Sequence, residues 1–244
     1  MEVPVEPWDD FLAKCEVGKK QSKTVSESEW EWFDQLCELA DEECCCSELD
    51  QSLQQVTLTV RLDASTYTLV LSRSADFPRS SPEMSSSLGA SFEYEWHSGD
   101  TISSLYRQFI EICLRIDFAV MACKEVSFPF VFKEWQIDKT DPTSISITLT
   151  CNEGNAENEG FTLNLSVDWS EPNLFPRSIT SPTPECLQHL RFDEWDSSLP
   201  FAENLRRIFL LNHDENTLCT CLVGREENGK RRKRRRWCRQ AMMQ

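Results

Sequence analysis

The sequence predicts an α+β protein built as two tandem lobes, each an antiparallel sheet with helices packed on one face. Apolar residues alternate with polar ones in paired runs, first over 56–72 and again over 145–169. A proline-rich segment follows each pair, FPRSSP (77–82) and PNLFPRSITSPTP (172–184), and apolar residues at helical spacing follow each proline segment. Strands grouped ahead of a helix, instead of alternating with helices, argue for α+β and against a doubly wound parallel sheet.

Taken in order, residues 1–25 lack periodicity and read as a flexible N-terminal arm, and the first lobe is expected over 26–140. Ser26 with Glu29 three positions on resembles a capping box, and Trp32, Phe33, Leu36, Leu39 and Ala40 recur at the spacing of a short helix. The segment DEECCCSELDQ (41–51) reads as a polar loop. Val56, Leu58, Val60 and Leu62 then alternate with Thr57, Thr59 and Arg61, and Tyr67, Leu69 and Leu71 repeat the pattern after a turn, which predicts a hairpin. The prolines of FPRSSP stop the second strand and force an extended connection. Phe92, Tyr94 and Trp96 alternate and read as a third short strand. After HSGD, residues Ile102, Leu105, Tyr106, Phe109, Ile110, Cys113 and Ile116 mark one face of a long amphipathic helix.

The segment SFPFVFKEWQIDKTDP (127–142) divides the chain, and the second lobe is expected over 141–216. Ile145, Ile147, Leu149 and Cys151 form one strand, NEGNAENEG (152–160) is a strong turn signal, and Phe161, Leu163, Leu165, Val167 and Trp169 return. In DSSLPFAENLRRIFLL (196–211), a serine cap and an early proline precede Leu205, Ile208 and Phe209 on one helical face. Residues 217–244 read as a basic, disordered tail.

The charge divides at nearly the same place. The whole chain of 244 residues carries 41 acidic and 25 basic residues, for a net −16. Residues 225–244 hold nine bases and two acids, so residues 1–224 carry 39 acids against 16 bases. A body that acidic repels phosphates, which excludes direct nucleic-acid binding by the lobes. No apolar run reaches the ~18–20 residues of a membrane helix, so no membrane is expected as a partner. The acidic start has no apolar signal core, and twelve cysteines are then read as reduced thiols of the cytosol or nucleus. The seven consecutive bases Lys230, Arg231, Arg232, Lys233, Arg234, Arg235 and Arg236 are a nuclear-import candidate, set against a merely solvated extension.

Reactive chemistry is thinly represented. The chain has three histidines, His97, His189 and His213, and no glycine-rich phosphate loop. Cys113 and Cys123, on or beside the long helix, read as buried small hydrophobes. The adjacent Cys44, Cys45 and Cys46 cannot all point at one ion, so no metal site is assigned to them. No residue is therefore assigned as catalytic. Trp135 stands among Lys133, Glu134, Gln136 and Asp138 where the first lobe passes to the second. It packs between the lobes, or it joins Ile137 in an exposed patch for a protein partner.

The order of FDQLCELA, TLVLSRSADFPRSSP, ISSLYRQFIEICL, KEWQID and WDSSLPFAENLRRIF resembles the central region of the Fanconi anaemia group L E3 ubiquitin-ligase family, over about residues 28–215. That resemblance implies two tandem RWD lobes, relatives of the ubiquitin-conjugating-enzyme fold. It also implies substrate recognition in DNA interstrand-crosslink repair, through binding of the Fanconi substrate pair that becomes monoubiquitinated. Core-complex subunits are the further expected partners, and the nucleus, with the cytoplasm besides, is the expected location. The family's substrate-binding positions map onto Trp135 and Ile137, and also onto Phe175 and Ile179.

Where the family has a further apolar position this chain has Ser181. The family's RING needs eight zinc ligands, whereas only Cys219, Cys221 and Cys238 follow Leu218 among the cysteines. The expectation is therefore no cofactor in this chain, with zinc and a ubiquitin-conjugating enzyme as partners only if a RING is present. Whether this chain is an enzyme is left open, since neither a complete RING nor the His-Pro-Asn run of a conjugating enzyme occurs. The alternative reading is a non-catalytic tandem-RWD adaptor, a structural scaffold of the kinetochore kind.

Overall fold

Among the described residues, two four-stranded antiparallel sheets, each ordered as a meander along the chain, frame the structure. It is a computed structural model that describes residues 13–18, 20, 27–39, 45–126, 130–138, 140–151 and 161–210. Helix α1 (Glu27–Glu38) precedes strands β1 (Cys45–Leu49), β2 (Gln55–Arg61), β3 (Thr66–Ser72) and β4 (Glu83–Ser86). Helix α2 (Ile102–Lys124) follows, then β5 (Phe130–Ile137), β6 (Ser144–Cys151), β7 (Thr162–Asp168) and β8 (Ser178–Thr180), and helix α3 (Phe201–Leu210). The class is α+β, as the grouping of strands predicts.

The hairpin of β2 and β3 places its alternating residues as the pattern requires. Val56, Leu58 and Val60 pair with Leu71, Leu69 and Tyr67 and are buried, while the intervening threonines stay partly exposed. Helix α2 buries Ile102, Leu105, Tyr106, Phe109, Cys113 and Ile116, the face its spacing marks. It starts at a reciprocal cap in which Thr101 Oγ1 accepts from the Ser104 N–H at 3.2 Å and Ser104 Oγ accepts from the Thr101 N–H at 3.0 Å. Gln35 Oε1, brought in by α1, accepts the Ile102 N–H at 3.0 Å, and Asp117 Oδ1 accepts the Ala64 N–H of the β2–β3 turn at 2.9 Å. These two bonds satisfy buried polar groups and tie both the first helix and the hairpin to α2. Helix α2 also contacts α3 and β5, and the buried residues of both sheets form one continuous core.

Several elements differ from the sequence expectation. Residues 45–49, read as loop, are strand β1, paired along β2 from Cys45↔Val60 to Leu49↔Val56. Its CCSEL composition lacks β-branched and aromatic residues, so pairing with β2 and not propensity makes it a strand. Residues 92–96 are not a strand. Phe92, Tyr94 and Trp96 are held by ring contacts instead of a ladder, with Phe92 5.2 Å from Phe109, Tyr94 6.1 Å from Trp96 and Trp96 5.9 Å from Phe77. The Trp96 indole N–H donates to the Pro78 carbonyl at 2.9 Å. The dividing segment contains β5, and the second proline-rich stretch contains β8.

Within the segment read as an arm, residues 13–18 are helical and Cys15 is fully buried. A Cβ on Gly18 would meet the Phe33 ring at 2.5 Å, so glycine permits that close approach. The Ser26 cap, the 152–160 turn and the 217–244 tail lie outside the described residues. Among the described residues, no helix is long and apolar enough to cross a membrane.

Trp32 of α1 is fully buried, edge-on to Phe77 at 5.3 Å, and its indole N–H has no hydrogen-bond partner among the described residues. Trp32→Ala is expected to lower unfolding stability by about 3–5 kcal/mol through lost burial and a cavity. Trp32→Phe keeps an aromatic ring and removes a buried donor without a partner, so its cost is expected to be smaller. Urea unfolding of the two variants checks the order.

Candidate functional site

Strand β5 departs from simple alternation, and this departure builds the site. Its register with β6 runs Phe130↔Cys151 and Phe132↔Leu149, then slips by one between Phe132 and Glu134 before continuing Trp135↔Ile147 and Ile137↔Ile145. Lys133 is the extra residue of a β-bulge. Directly paired residues share a sheet face, so the slip puts Phe130, Phe132, Trp135 and Ile137 on the side that carries the buried Ile145, Ile147, Leu149 and Cys151. Phe130 is buried, whereas Phe132, Trp135 and Ile137 are half-buried and pack against the margin of the core.

Trp135 reaches the first sheet. Its ring lies 6.4 Å from that of Tyr67 on β3, tilted by 47°. Beside this contact runs a cleft of about 560 Å³, lined by Tyr67, Ser86, Leu88, Gly89, Trp135 and Ile137 among others. Gly89 takes φ +55°, in the left-handed region that favours glycine, where the chain turns after β4. Burial, with Asp117 and Cys113 adding to it, pushes the Tyr67 phenol up, so Tyr67 is a neutral wall to this cleft at physiological pH.

The row Trp135–Ile147–Leu165–Ile179 crosses the whole second sheet. Trp135 and Ile179 therefore share a face but stand at opposite edges, about 14 Å apart at three strand spacings. The residues between them, Ile147 and Leu165, are buried. Phe175 belongs to a separate aromatic group in the loop after β7: it is 46% exposed and meets Trp195 at 5.5 Å and Phe192 at 6.1 Å, both edge-on. The structure thus joins Trp135 with Ile137 at the cleft and does not join either to Phe175.

One polar device braces the second sheet, and a second fixes the approach to α3. Arg177, at the start of β8, bridges Asp141 of the β5–β6 turn and Asp168 at the end of β7. The Arg177 hydrogen bond comes first, with Thr143 and Ser144 adding to it, in holding the Asp141 carboxyl well below the usual carboxylate range. For Asp168, burial pushes the carboxyl up, and bonds from Ser170 and Arg177 outweigh it to lower the net value. Fully buried Asn204 of α3 donates to the Asp196 and Leu199 carbonyls at 2.8 and 3.2 Å and accepts the Asp196 N–H at 2.8 Å. These bonds need the eight-residue spacing between Asp196 and Asn204 in WDSSLPFAENLRRIF.

Cys113 and Cys123 are fully buried, and burial pushes the Cys113 thiol up to about 12 and raises that of Cys123 as well. Neither forms an appreciable thiolate at neutral pH. Among the described residues, no group of three or more His, Cys, Asp or Glu is placed to hold a metal ion. Cys44, Cys219, Cys221, Cys238 and the basic run 230–236 lie outside the described residues. Sequence reasoning singled out Trp135 and Ile137 but missed Tyr67, Ser86 and Leu88 opposite them. Tyr67 reads as one more inward strand residue, and nothing local marks it as a neighbour of residue 135.

Compared with known protein families, residues 31–115 match the model described as FANCL UBC-like domain 2. That span runs from α1 through the hairpin and β4 into α2. No curated protein matches the chain.

Replacing Arg177 by Ala is expected to return the Asp141 carboxyl toward the ordinary value of about 3.9. A carboxyl whose folded value lies below its unfolded one stabilises the fold above the unfolded value and loses that contribution as pH falls through the folded one. The stability gap between the native chain and Arg177→Ala should therefore be full above about pH 5 and shrink steadily below about pH 4. Urea midpoints measured across that range check it.

Proposed function

We propose, from the match of residues 31–115 to FANCL UBC-like domain 2, that the chain is of FANCL type and is the substrate-recognition region of a Fanconi-type E3 ubiquitin ligase. In this reading the two sheets with their helices are tandem RWD lobes. Their work is to bind the Fanconi substrate pair that is monoubiquitinated in interstrand-crosslink repair, in the nucleus and also the cytoplasm, alongside core-complex subunits. Zinc and a conjugating enzyme enter only with a RING. One observation carries the proposal: Trp135 and Ile137 stand half-buried beside an open cleft, on the first strand after the FANCL-type domain. A half-buried tryptophan beside an apolar neighbour is the usual composition of a protein-binding hot spot. The acidic body supports a protein partner over a nucleic acid.

The adaptor reading draws support from a different surface. Leu114, Phe118 and Met121 of α2 are 51%, 70% and 38% exposed and follow one another at helical spacing on its outer side. A scaffold would use such a stripe for standing assembly.

The double variant Trp135→Ala, Ile137→Ala separates the readings. Substrate recognition requires it to weaken binding of the Fanconi substrate pair by about 2 kcal/mol or more, roughly 30-fold, as titration calorimetry reads. Unchanged affinity in a variant with native circular dichroism rejects the patch and favours the adaptor.

A further inference from the structure

The cleft touches four consecutive residues at the end of β5: Trp135, Gln136 and Ile137 of the strand and Asp138 just past it. Side chains alternate between sheet faces, so contact with an unbroken run marks an edge and not a face. β5 is such an edge: among the described residues it pairs within its sheet with β6 alone. The direction of its backbone groups follows from one bond, the Asp138 N–H donating to the Ser144 carbonyl at 3.0 Å. In an antiparallel ladder a residue's N–H and C=O point the same way and its neighbours' point the other. Asp138 and Gln136 therefore turn toward β6, and Trp135 and Ile137 turn theirs to the open edge. The bulge at Lys133, with Lys133 and Glu134 exposed, blunts the earlier half of the strand against pairing. The later half, beside the cleft, keeps regular register through Ile137.

We propose that the open edge at the end of β5, from Trp135 to Ile137, takes up an extended, basic segment of a protein substrate by strand addition, its backbone bonding Trp135 and Ile137 within the cleft. This rests on the reading of Trp135 and Ile137 as the substrate patch and adds how the substrate lies there. Backbone bonds to the edge supply affinity, and alternate side chains of the segment rest on Trp135 and Ile137 and supply selectivity. The cleft volume of about 560 Å³ falls in the range of ligand-binding clefts and accommodates a few residues of extended chain. Charge selects the occupant. Among the described residues, Asp138 is the one carboxylate or base lining the cleft, and hydrogen bonds from Thr140 hold its carboxyl below the usual range, so it stays negative at neutral pH. The 39 acids against 16 bases of residues 1–224 add a field of the same sign, which draws a cationic segment.

The test uses the full chain with two eight-residue peptides, one alternating Lys and Val and one alternating Glu and Val, and reads backbone amide exchange by NMR. The Lys–Val peptide should slow exchange at Trp135 and Ile137 at least about tenfold, leave Gln136 unchanged, and bind at least tenfold more tightly than the Glu–Val peptide. Ile137→Pro removes an edge donor that β6 does not use, so it should bind at least tenfold more weakly than Ile137→Ala, which keeps the donor. The proposal is overturned by no binding of the Lys–Val peptide at 1 mM, by binding without protection at 135 and 137, or by equal affinity for both peptides. Should the double alanine variant lose the protein substrates while these amides stay unprotected, the patch stands and strand addition falls. Should that variant keep its substrates, the patch reading falls, and the exchange data on the native chain still decide for or against the edge.

Discussion

Burial of helix α2 is the constraint on which the remaining structure depends. Its inner face, from Ile102 to Cys123, is covered along its whole length, and it contacts α1, α3 and β5. Two buried polar bonds, Gln35 to Ile102 and Asp117 to Ala64, fix where the first helix and the hairpin turn meet it. A helix shared in this way makes the two sheets interdependent, because one contiguous core runs through both. The Tyr67–Trp135 contact and the cleft beside it are products of that shared core. Neither sheet contains the cleft by itself.

Legibility of the fold in the sequence followed the strength of local period. The β2–β3 hairpin and α2 each bury one full stripe of side chains, so their residues announce the element. Strands β1, β5 and β8 do not. CCSEL has no apolar alternation, β5 changes parity at its bulge, and β8 is three residues long within a proline-rich stretch. All three are edge strands or sit at an edge, where one side of the backbone lacks a partner and the side chains need less apolar character. Phe92, Tyr94 and Trp96 show the reverse case. Their alternation is genuine, but it serves ring packing against Phe109 and Phe77, which period alone cannot tell from a ladder.

For the candidate site, single residues were legible and their grouping was not. A tryptophan among charged neighbours is conspicuous, and Trp135 and Ile137 do lie together at a cleft. Phe175 and Ile179 were tied to them by resemblance, and sheet topology places Ile179 at the far edge and Phe175 in another aromatic group. Distance across a sheet is set by strand order, and strand order is not written in any one segment. The Arg177 bridge has the same character: Asp141, Asp168 and Arg177 are unremarkable in a chain this rich in carboxylates until the fold brings three turns together.

The bulge at Lys133 also governs how this strand must be matched to other proteins. Without the register slip at Lys133, Glu134 would oppose Ile147 and Trp135 would oppose Ser146. An ungapped alignment of β5 with a bulge-free edge strand would then equate Glu134 with the inward position. It would assign Trp135 to the outer face. A one-residue gap at Lys133 restores the correct equivalence, so the position of an insertion, more than residue identity, decides which side chain is taken to be the patch.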